Sequence, residues 1–140
     1  MRKWLAALLA LIVLVCAFVP STSFTEDEQT VLLARAIYTM GHGESYATKL
    51  ALATVVMNRV DDPWFADDLM GVLQEQQQFP IGTRYDAESL EAAHAVLSGQ
   101  RALGENALYW QRTDALEPYD SQYRVGSSGS YNFYSQSGIF

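Results

Sequence analysis

The segment around Glu44 places a single carboxylate in a setting suited to acid–base chemistry. Residues 38–47, YTMGHGESYA, contain two glycines, His42 and Glu44, and the sequence on either side is largely apolar. We expect the carboxyl group of Glu44 to project over apolar surface beside a cleft. A carboxyl group so placed holds its proton more firmly than one in water, as a general acid must. The alternative is structural, with Glu44 in the first turn of a helix, where it interacts favourably with the helix dipole.

Several other kinds of catalytic centre are excluded by what the sequence lacks. Its two histidines, His42 and His94, cannot form a three-histidine metal site, and neither an HExxH nor a GxSxG motif occurs. Glycine loops of the kind that bind nucleotides are absent as well. We therefore expect neither a cofactor nor a metal.

The remaining acidic pairs and the second histidine have simpler explanations. Asp61-Asp62 and Asp67-Asp68 lack the alternating ligand spacing of a calcium-binding loop. Aspartate is favoured in turns and at helix starts, so we expect these pairs to be solvated residues of that kind. His94 lies between alanines in a helical segment, and we expect it to be an ordinary packed or surface residue.

Composition limits both the domain organisation and the partners. A chain of 140 residues with 49% apolar content is sufficient for one small globular domain. Its 16 acidic residues exceed its 9 basic residues, for a net charge of −7. Because phosphate binding relies on basic patches, this balance argues against a nucleic-acid partner.

The first 23 residues predict export. Arg2 and Lys3 precede an apolar run, residues 4–19, and Ser21-Thr22-Ser23 follows as a small-residue cleavage site. Cleavage near Phe24 would place the mature chain in the cell envelope, periplasmic or extracellular, without its one cysteine. The alternative is an uncleaved anchor with membrane contact through residues 4–19, although a spanning helix usually needs about 20 residues.

Sequence periodicity predicts four helices in the first two thirds of the mature chain. Thr25 to Glu28 fits a capping box, which predicts a first helix ending near Gly41. Residues 46–60 are apolar on more than one face, as in a central helix that is buried on most sides. A short helix is expected over residues 66–73, and Asp86 is expected to cap a helix that runs to Ser98.

The last third of the chain predicts short strands. The aromatic segments ALYW, residues 107–110, and YNFY, residues 131–134, are separated by turn-rich sequence that contains Gly126 and Gly129. Helices first and strands later predict an α+β domain, in which a short antiparallel sheet packs on a helical core.

Five segments, in order and with compatible spacing, resemble the cell wall hydrolase family typified by the spore cortex-lytic enzyme SleB. They are LLARAIYTMGHGESYATKLALATVVMNRV, VLQEQQQFPI, AAHAVLSG, ENALYWQ and VGSSGSYNFY. The resemblance covers almost all of residues 24–140 and implies one lysozyme-like catalytic domain. It also implies cleavage of the glycan strands of peptidoglycan by a lytic transglycosylase. An exported chain without a cofactor motif fits that role, and we expect it to be a monomer.

The sequence departs from the family pattern near Glu44. The family usually has YxEARGE here, and the resemblance associates its first glutamate with catalysis. This sequence has Met40 at that position and Gly41 and His42 where alanine and arginine are usual, and it retains only the second glutamate, Glu44. Glu44 is therefore the candidate catalytic residue, and a positive charge on His42 would modulate it.

A groove for glycan needs aromatic platforms and polar groups, because sugar rings present flat C–H faces and many hydroxyls. The candidate substrate-binding residues are Tyr38, His42, Gln78, Phe79, Trp110 and Tyr131. Phe79 and Trp110 could equally lie in the core or in the cleft. Tyr109 is expected in the core, because neighbours on a strand face opposite sides.

Three functions remain open from the sequence. The first is an active enzyme that uses one carboxyl group, because the C6 hydroxyl of muramic acid attacks the anomeric carbon and no water needs to be activated. The second is a family member that binds glycan without cutting it. The third is an envelope-anchored structural or interaction module.

Overall fold

The computed structural model describes residues 26–75 and 79–137. Within them, four α-helices precede a three-stranded sheet, which confirms the predicted α+β class. The helices are α1, Glu26–Gly41; α2, Tyr46–Asp61; α3, Leu69–Gln74; and α4, Ala87–Leu97. The strands are β1, Tyr109–Arg112; β2, Arg124–Ser128; and β3, Tyr131–Tyr134, with a 3-10 helix at Ser121–Tyr123.

Helix α2 is the centre of the domain. The Ser45 side chain caps it by accepting a hydrogen bond from the Thr48 amide at 3.3 Å. Its apolar side chains are buried on several faces, and the helix contacts α1, α3, α4, β1 and β2. This confirms the prediction of a central helix that is buried on most sides.

Lys49 is a buried cation on α2 that joins this helix to the start of α4. It is 3% exposed, and its Nζ lies 3.3 Å from Asp86 Oδ2 and 2.7 Å from Glu88 Oε2. Burial alone would lower the pKa of Lys49, but the hydrogen bonds with Glu88 and Asp86 outweigh it and raise the pKa. The ammonium group therefore stays charged inside the domain.

Arg59 is the second buried cation on α2, and it fixes the entry to the sheet. Its Nε donates to the Leu108 carbonyl at 2.6 Å, and its guanidinium lies 4.8 Å from the Phe65 ring centre, 4.9 Å from that of Phe79 and 5.2 Å from that of Tyr109. Burial lowers the pKa of Arg59, although nearby groups such as Tyr109 oppose the shift. These contacts hold the C-terminal half of α2 against the segment that leads into β1.

Aspartate side chains set the starts of the two shorter helices. Helix α3 begins at Leu69, three residues later than predicted, because Asp68 Oδ1 caps it through the Gly71 amide at 2.6 Å. Asp86 caps α4 through the Ser89 amide at 2.8 Å, as predicted. Gly99 follows the end of α4 with a φ of +100°, a conformation that favours glycine.

The sheet has the order β1-β3-β2 and is antiparallel throughout. The strand predicted at residues 107–110 lies two residues later, at Tyr109–Arg112, whereas the prediction for residues 131–134 is confirmed. β2, RVGSS, falls in the segment that we expected to be turns. Its residues have weak strand propensity, and its pairing with β3 defines the strand despite an irregularity between Arg124 and Gly126.

Some predictions fall outside the described residues. These include the export signal at residues 1–23, the start of the capping box at Thr25 and the substrate-binding candidate Gln78. Across residues 26–75 and 79–137, no helix combines the length and apolar character that crossing a membrane requires.

Candidate functional site

Glu44 lies in a tight turn between α1 and α2. The Glu44 amide donates to the Gly41 carbonyl at 3.0 Å, a bond typical of a β-turn in which the first and last Cα atoms lie within about 7 Å. Ser45, not Glu44, is the cap of α2, so Glu44 precedes the helix rather than lying in its first turn. The turn brings Glu44 back beside the end of α1.

The turn between β2 and β3 covers the Glu44 carboxylate. Glu44 Oε2 accepts a hydrogen bond from the Ser130 amide at 3.4 Å, and the side chain is half-buried. Gly129, with a φ of +54°, lies against the same oxygen, where a side chain at residue 129 would collide with Glu44 and would come within 2.7 Å of Thr48 Oγ1. The hairpin therefore sets the position of the carboxylate.

A hydroxyl cluster fastens this hairpin to α2. Thr48 Oγ1 lies 2.8 Å from Ser128 Oγ and 3.2 Å from Ser45 Oγ. Thr48 is fully buried, whereas Ser128 is half-buried and Ser45 is exposed, so the cluster runs from the interior to the surface. The cluster holds the β2–β3 turn, and with it the cover over Glu44, in one place.

Met40 lies in the last turn of α1, and its side chain is in the core. Its side chain is 7% exposed and packs with the other buried apolar residues. Its carbonyl accepts a hydrogen bond from Tyr131 Oη at 2.6 Å, and the Tyr131 ring is 3% exposed. Position 40 therefore has a thioether side chain and a carbonyl that already accepts a hydrogen bond. Neither group can donate a proton to a leaving group.

Tyr38 and His42 line a cleft on the surface of α1. The cleft, called here the Tyr38 cleft, has a volume of about 460 Å³ and is lined by Tyr38, Thr39, His42, Gly82, Thr83 and Arg84. The ring centres of Tyr38 and His42 are 4.8 Å apart, and the Arg84 guanidinium lies 5.9 Å from the Tyr38 ring centre. Two of the predicted substrate-binding residues thus share one cleft.

The other predicted aromatic residues form a second group around Trp110. The Trp110 ring centre is 5.7 Å from that of Tyr131 and 6.4 Å from that of Phe79. Phe79 is 3% exposed and lies in the core, whereas Trp110 is half-buried and faces a cleft of about 690 Å³. The prediction that Tyr109 lies in the core is wrong: it is half-buried beside Phe65 and lines the same cleft, because β1 is an edge strand of the sheet. Of this group, Trp110 and Tyr109 keep surface that faces the cleft.

Sequence reasoning missed Ser130, Gly129 and Arg84. A serine-glycine-serine segment between two strands is a recognisable turn signal. It does not say which side chain the turn will cover, and Glu44 and Ser130 are separated by 86 residues. Nothing in the local sequence of Arg84 distinguishes it from an ordinary surface arginine.

The structural roles expected for Asp62, Asp68 and His94 agree with the structure, whereas Asp61 ends α2 and pairs with Arg101 at 3.2 Å. Asp62 Oδ1 accepts a hydrogen bond from the Trp64 amide at 2.9 Å in a turn, and Asp68 caps α3. His94 is exposed on α4. Within the part of the chain that the structure describes, no group of three or more histidine, cysteine or acidic side chains is arranged to hold a metal ion.

Residues 43–134 match the Cell Wall Hydrolase family, a span that includes Glu44, Trp110 and Tyr131. Spore cortex-lytic enzymes are also similar: that of Bacillus subtilis is 34% identical over 94 residues, and that of Halalkalibacterium halodurans is 33% identical over 90 residues. These alignments cover 63% and 60% of this chain, but 31% and 27% of the relatives. The chain thus matches less than a third of the length of these relatives.

Two solved structures have a similar fold. The catalytic domain of the Bacillus cereus SleB protein has a TM-score of 0.69 at 23% identity, over 81% of this chain and 93% of that domain. The catalytic domain of the germination-specific lytic transglycosylase SleB from Bacillus anthracis has a TM-score of 0.69 at 24% identity, over 83% of this chain and 99% of that domain. The likeness establishes the fold of the helices and the three-stranded sheet.

Proposed function

The chain belongs to the cell wall hydrolase family, and from this premise we propose that it cleaves the glycan strands of peptidoglycan as a lytic transglycosylase. The similar catalytic domain from Bacillus anthracis is described as a lytic transglycosylase, and two sequence relatives as spore cortex-lytic enzymes. The observation that carries the proposal is the position of Glu44, which lies inside the matched span under the Ser130 amide. One positioned carboxyl group is what this reaction requires.

In the proposed reaction, Glu44 acts first as an acid and then as a base. The protonated carboxyl group gives its proton to the glycosidic oxygen while the bond from that oxygen to C1 of muramic acid breaks. The C6 hydroxyl oxygen of the same sugar bonds to C1, and its proton passes to the Glu44 carboxylate. The products are a 1,6-anhydro-muramic acid end and a new glucosamine 4-hydroxyl, and no water is consumed.

The turn that contains Glu44 supports this assignment. The residue that the resemblance associates with catalysis is at position 40, where this chain has Met40. A straight continuation of α1 would carry residue 44 about 6 Å along the axis. A general acid must come within about 3 Å of the leaving oxygen, and the hydrogen bond from Glu44 to Gly41 turns the chain back toward the end of α1.

The other predicted site residues are proposed to bind the sugars in two groups. Tyr38 and His42 offer exposed surface in the Tyr38 cleft, and Trp110 offers a half-buried ring at the second cleft. Phe79 and Tyr131 support the Trp110 ring from the core side. Gln78 is proposed to donate a hydrogen bond to a sugar hydroxyl, as the resemblance implies.

The second candidate function is a glycan-binding protein that does not cleave. Met40 favours it, because a buried thioether replaces the carboxyl group that the resemblance places there. Under this alternative, Glu44 serves to hold the β2–β3 turn through Ser130. Both candidates share the substrate, and we propose that the protein meets it after export to the cell envelope as a monomer.

Digestion of purified peptidoglycan tests the proposed function. Soluble products would be separated by chromatography and identified by mass spectrometry, and we expect muropeptides with 1,6-anhydro-muramic acid ends. Sedimentation of the protein with insoluble peptidoglycan would be measured in parallel. Binding without soluble products would establish the non-cleaving alternative, and the absence of both would leave the envelope-anchored module.

A further inference from the structure

The Tyr38 cleft is cationic in an acidic protein. The chain has a net charge of −7, yet the six residues that line this cleft include Arg84 and His42 and no carboxylate. Arg84 is exposed and, within the described residues, takes part in no ion pair. The next acidic residues along the chain, Asp86 and Glu88, bind Lys49 instead. The guanidinium of Arg84 is therefore available to an anion from outside the protein.

The floor of the Tyr38 cleft is fixed by hydrogen bonds between α1 and the loop around Gly82. Arg35 Nε donates to the Gly82 carbonyl at 2.6 Å, and the Gly82 amide donates to Thr39 Oγ1 at 2.9 Å. Thr39 Oγ1 in turn donates to the Arg35 carbonyl at 2.7 Å. A side chain at residue 82 would approach Thr39 Oγ1 to 2.8 Å, so only glycine allows this contact. The loop that carries Arg84 is thus held against α1.

Ring contacts orient the polar groups above this floor. The Arg84 guanidinium lies 5.9 Å from the Tyr38 ring centre, within the range of a cation–π interaction. The Tyr38 ring is 4.8 Å from the His42 ring at an angle of 48°. An arginine supported by an aromatic ring loses less freedom on binding a carboxylate, which it can contact with two parallel N–H donors.

The cleft is adjacent to the proposed catalytic residue. His42 and Glu44 are two positions apart in one hydrogen-bonded turn, so their Cα atoms lie no more than about 7 Å apart. A sugar bound at Glu44 would therefore lie within one turn of the residue that begins this cleft, His42, so that a long ring substituent could extend into the cleft. In muramic acid, the C3 oxygen carries a lactyl group, which ends in a carboxylate or continues into a peptide stem that has carboxylates of its own.

We propose that the Tyr38 cleft binds a carboxylate carried on the C3 substituent of muramic acid. This proposal rests on the proposed function and adds a requirement to it: the cleft distinguishes muramic acid from uncharged amino sugars. Arg84 forms the ion pair, and Tyr38 and His42 position it. The carboxylate is that of a bare lactyl group or that of a peptide stem.

Binding measurements with three soluble glycans test the proposal without requiring cleavage. The first glycan carries peptide stems, the second has been treated with an amidase and ends in lactyl carboxylates, and the third is a chitin oligosaccharide with no lactyl group. We expect Arg84→Gln to weaken binding to the carboxylate-bearing glycans by about tenfold or more and to leave chitin binding unchanged. A loss confined to one of the first two glycans would identify the carboxylate that is bound.

Two further variants distinguish the effect of the paired N–H donors of Arg84 from the effect of its charge. Arg84→Lys keeps the charge without the paired donors, and we expect an intermediate loss of affinity for the carboxylate-bearing glycans. Arg124→Gln removes the same charge from an exposed position on β2 and should leave all three affinities unchanged. Circular dichroism would verify the fold of each variant.

The outcomes separate this proposal from the proposed function. If the parent binds all three glycans and Arg84→Gln binds them equally well, the carboxylate assignment is wrong and the proposed function is unaffected. If Arg84→Gln and Arg124→Gln weaken binding equally, the effect is one of net charge and the cleft is not the site. If the parent binds none of the glycans, the proposed function fails and this proposal fails with it.

Discussion

Gly129 lies directly against the Glu44 carboxylate, at a position where any side chain would collide with Oε2. The two residues are far apart in the sequence, since one precedes α2 and the other lies between β2 and β3. The backbone at Gly129 has a φ of +54°, and the adjacent Ser130 amide donates to the same carboxylate oxygen. The hairpin turn therefore fixes the position of the Glu44 carboxyl group, which is the proton donor in the proposed reaction.

Replacing Gly129 with alanine is expected to displace Glu44. The added methyl group would strain the left-handed backbone and push against the carboxylate, at a cost of about 1 to 3 kcal/mol in the free energy of unfolding. Because small displacements of a catalytic group are costly, we expect the cleavage rate of folded protein to fall by about tenfold or more. Urea unfolding and peptidoglycan digestion would measure the two effects.

Gly99→Ala is the matched control for that experiment. Gly99 also has a positive φ, +100°, but an added Cβ would meet no atom within 4 Å. We expect this variant to lose stability through backbone strain and to retain the cleavage rate of the parent. Equal cleavage by the two glycine variants would mean that the contact between Gly129 and Glu44 does not position the acid.

Tyr131→Phe removes the hydroxyl that binds the Met40 carbonyl at 2.6 Å. The carbonyl would be left without this donor in a buried place, so we expect a loss of about 1 to 2 kcal/mol in the free energy of unfolding. Tyr85→Phe, at a residue that is 46% exposed, is the control and should change stability little. Chemical denaturation of both variants would check this, and equal effects would contradict the role assigned to the Tyr131 hydroxyl.

The Lys49 ion pairs predict a window of pH in which they stabilise the fold. The pKa of Lys49 is raised above 10.5, so its contribution is present below that value and is lost as pH rises through the folded pKa. Hydrogen bonding by Ser89, together with Lys49, lowers the pKa of Asp86 below 3.8, so that contribution is lost as pH falls through the lowered value. The stabilisation should therefore be largest between about pH 4 and pH 10.

Lys49→Met tests this window, because methionine keeps much of the apolar stem that packs inside the domain. The parent should exceed the variant in stability by no more than about 1 kcal/mol near neutrality, since the partner carboxylates are 39% and 55% exposed. Urea unfolding across the pH range would measure the difference. A difference that does not change from neutral to strongly alkaline pH would contradict a charge-based contribution.

Much of the helical architecture could be predicted from the sequence, because its signals are local. Asp86, the buried pattern of α2 and the glycine after α4 each determine structure within a few residues. The strand β2 could not be predicted, since RVGSS becomes a strand only by pairing with β3. Local sequence identified Glu44 as unusual, but the contact of Glu44 with the Ser130 amide and the place of Arg84 in the Tyr38 cleft depend on packing between distant segments.

Met40→Glu tests whether position 40 can still support catalysis. A carboxyl group there would be largely buried, which favours its protonated form and suits a general acid. We expect cleavage to increase strongly over that of the parent, with some loss of thermal stability from the buried polar group. Met40→Gln is the control, because glutamine has nearly the same shape and polarity as glutamate but cannot donate a proton as an acid. Equal cleavage by the two variants would show that proton transfer is not the cause.

Glu44→Gln, assayed on purified peptidoglycan, tests the central claim most directly. Glutamine keeps an oxygen that can accept the Ser130 hydrogen bond, so the hairpin should stay in place while the acid is removed. Mass spectrometry of the soluble products should show 1,6-anhydro-muramic acid ends for the parent and none above background for folded Glu44→Gln. Release of these ends by Glu44→Gln at the rate of the parent would contradict the assignment of Glu44 as the catalytic acid.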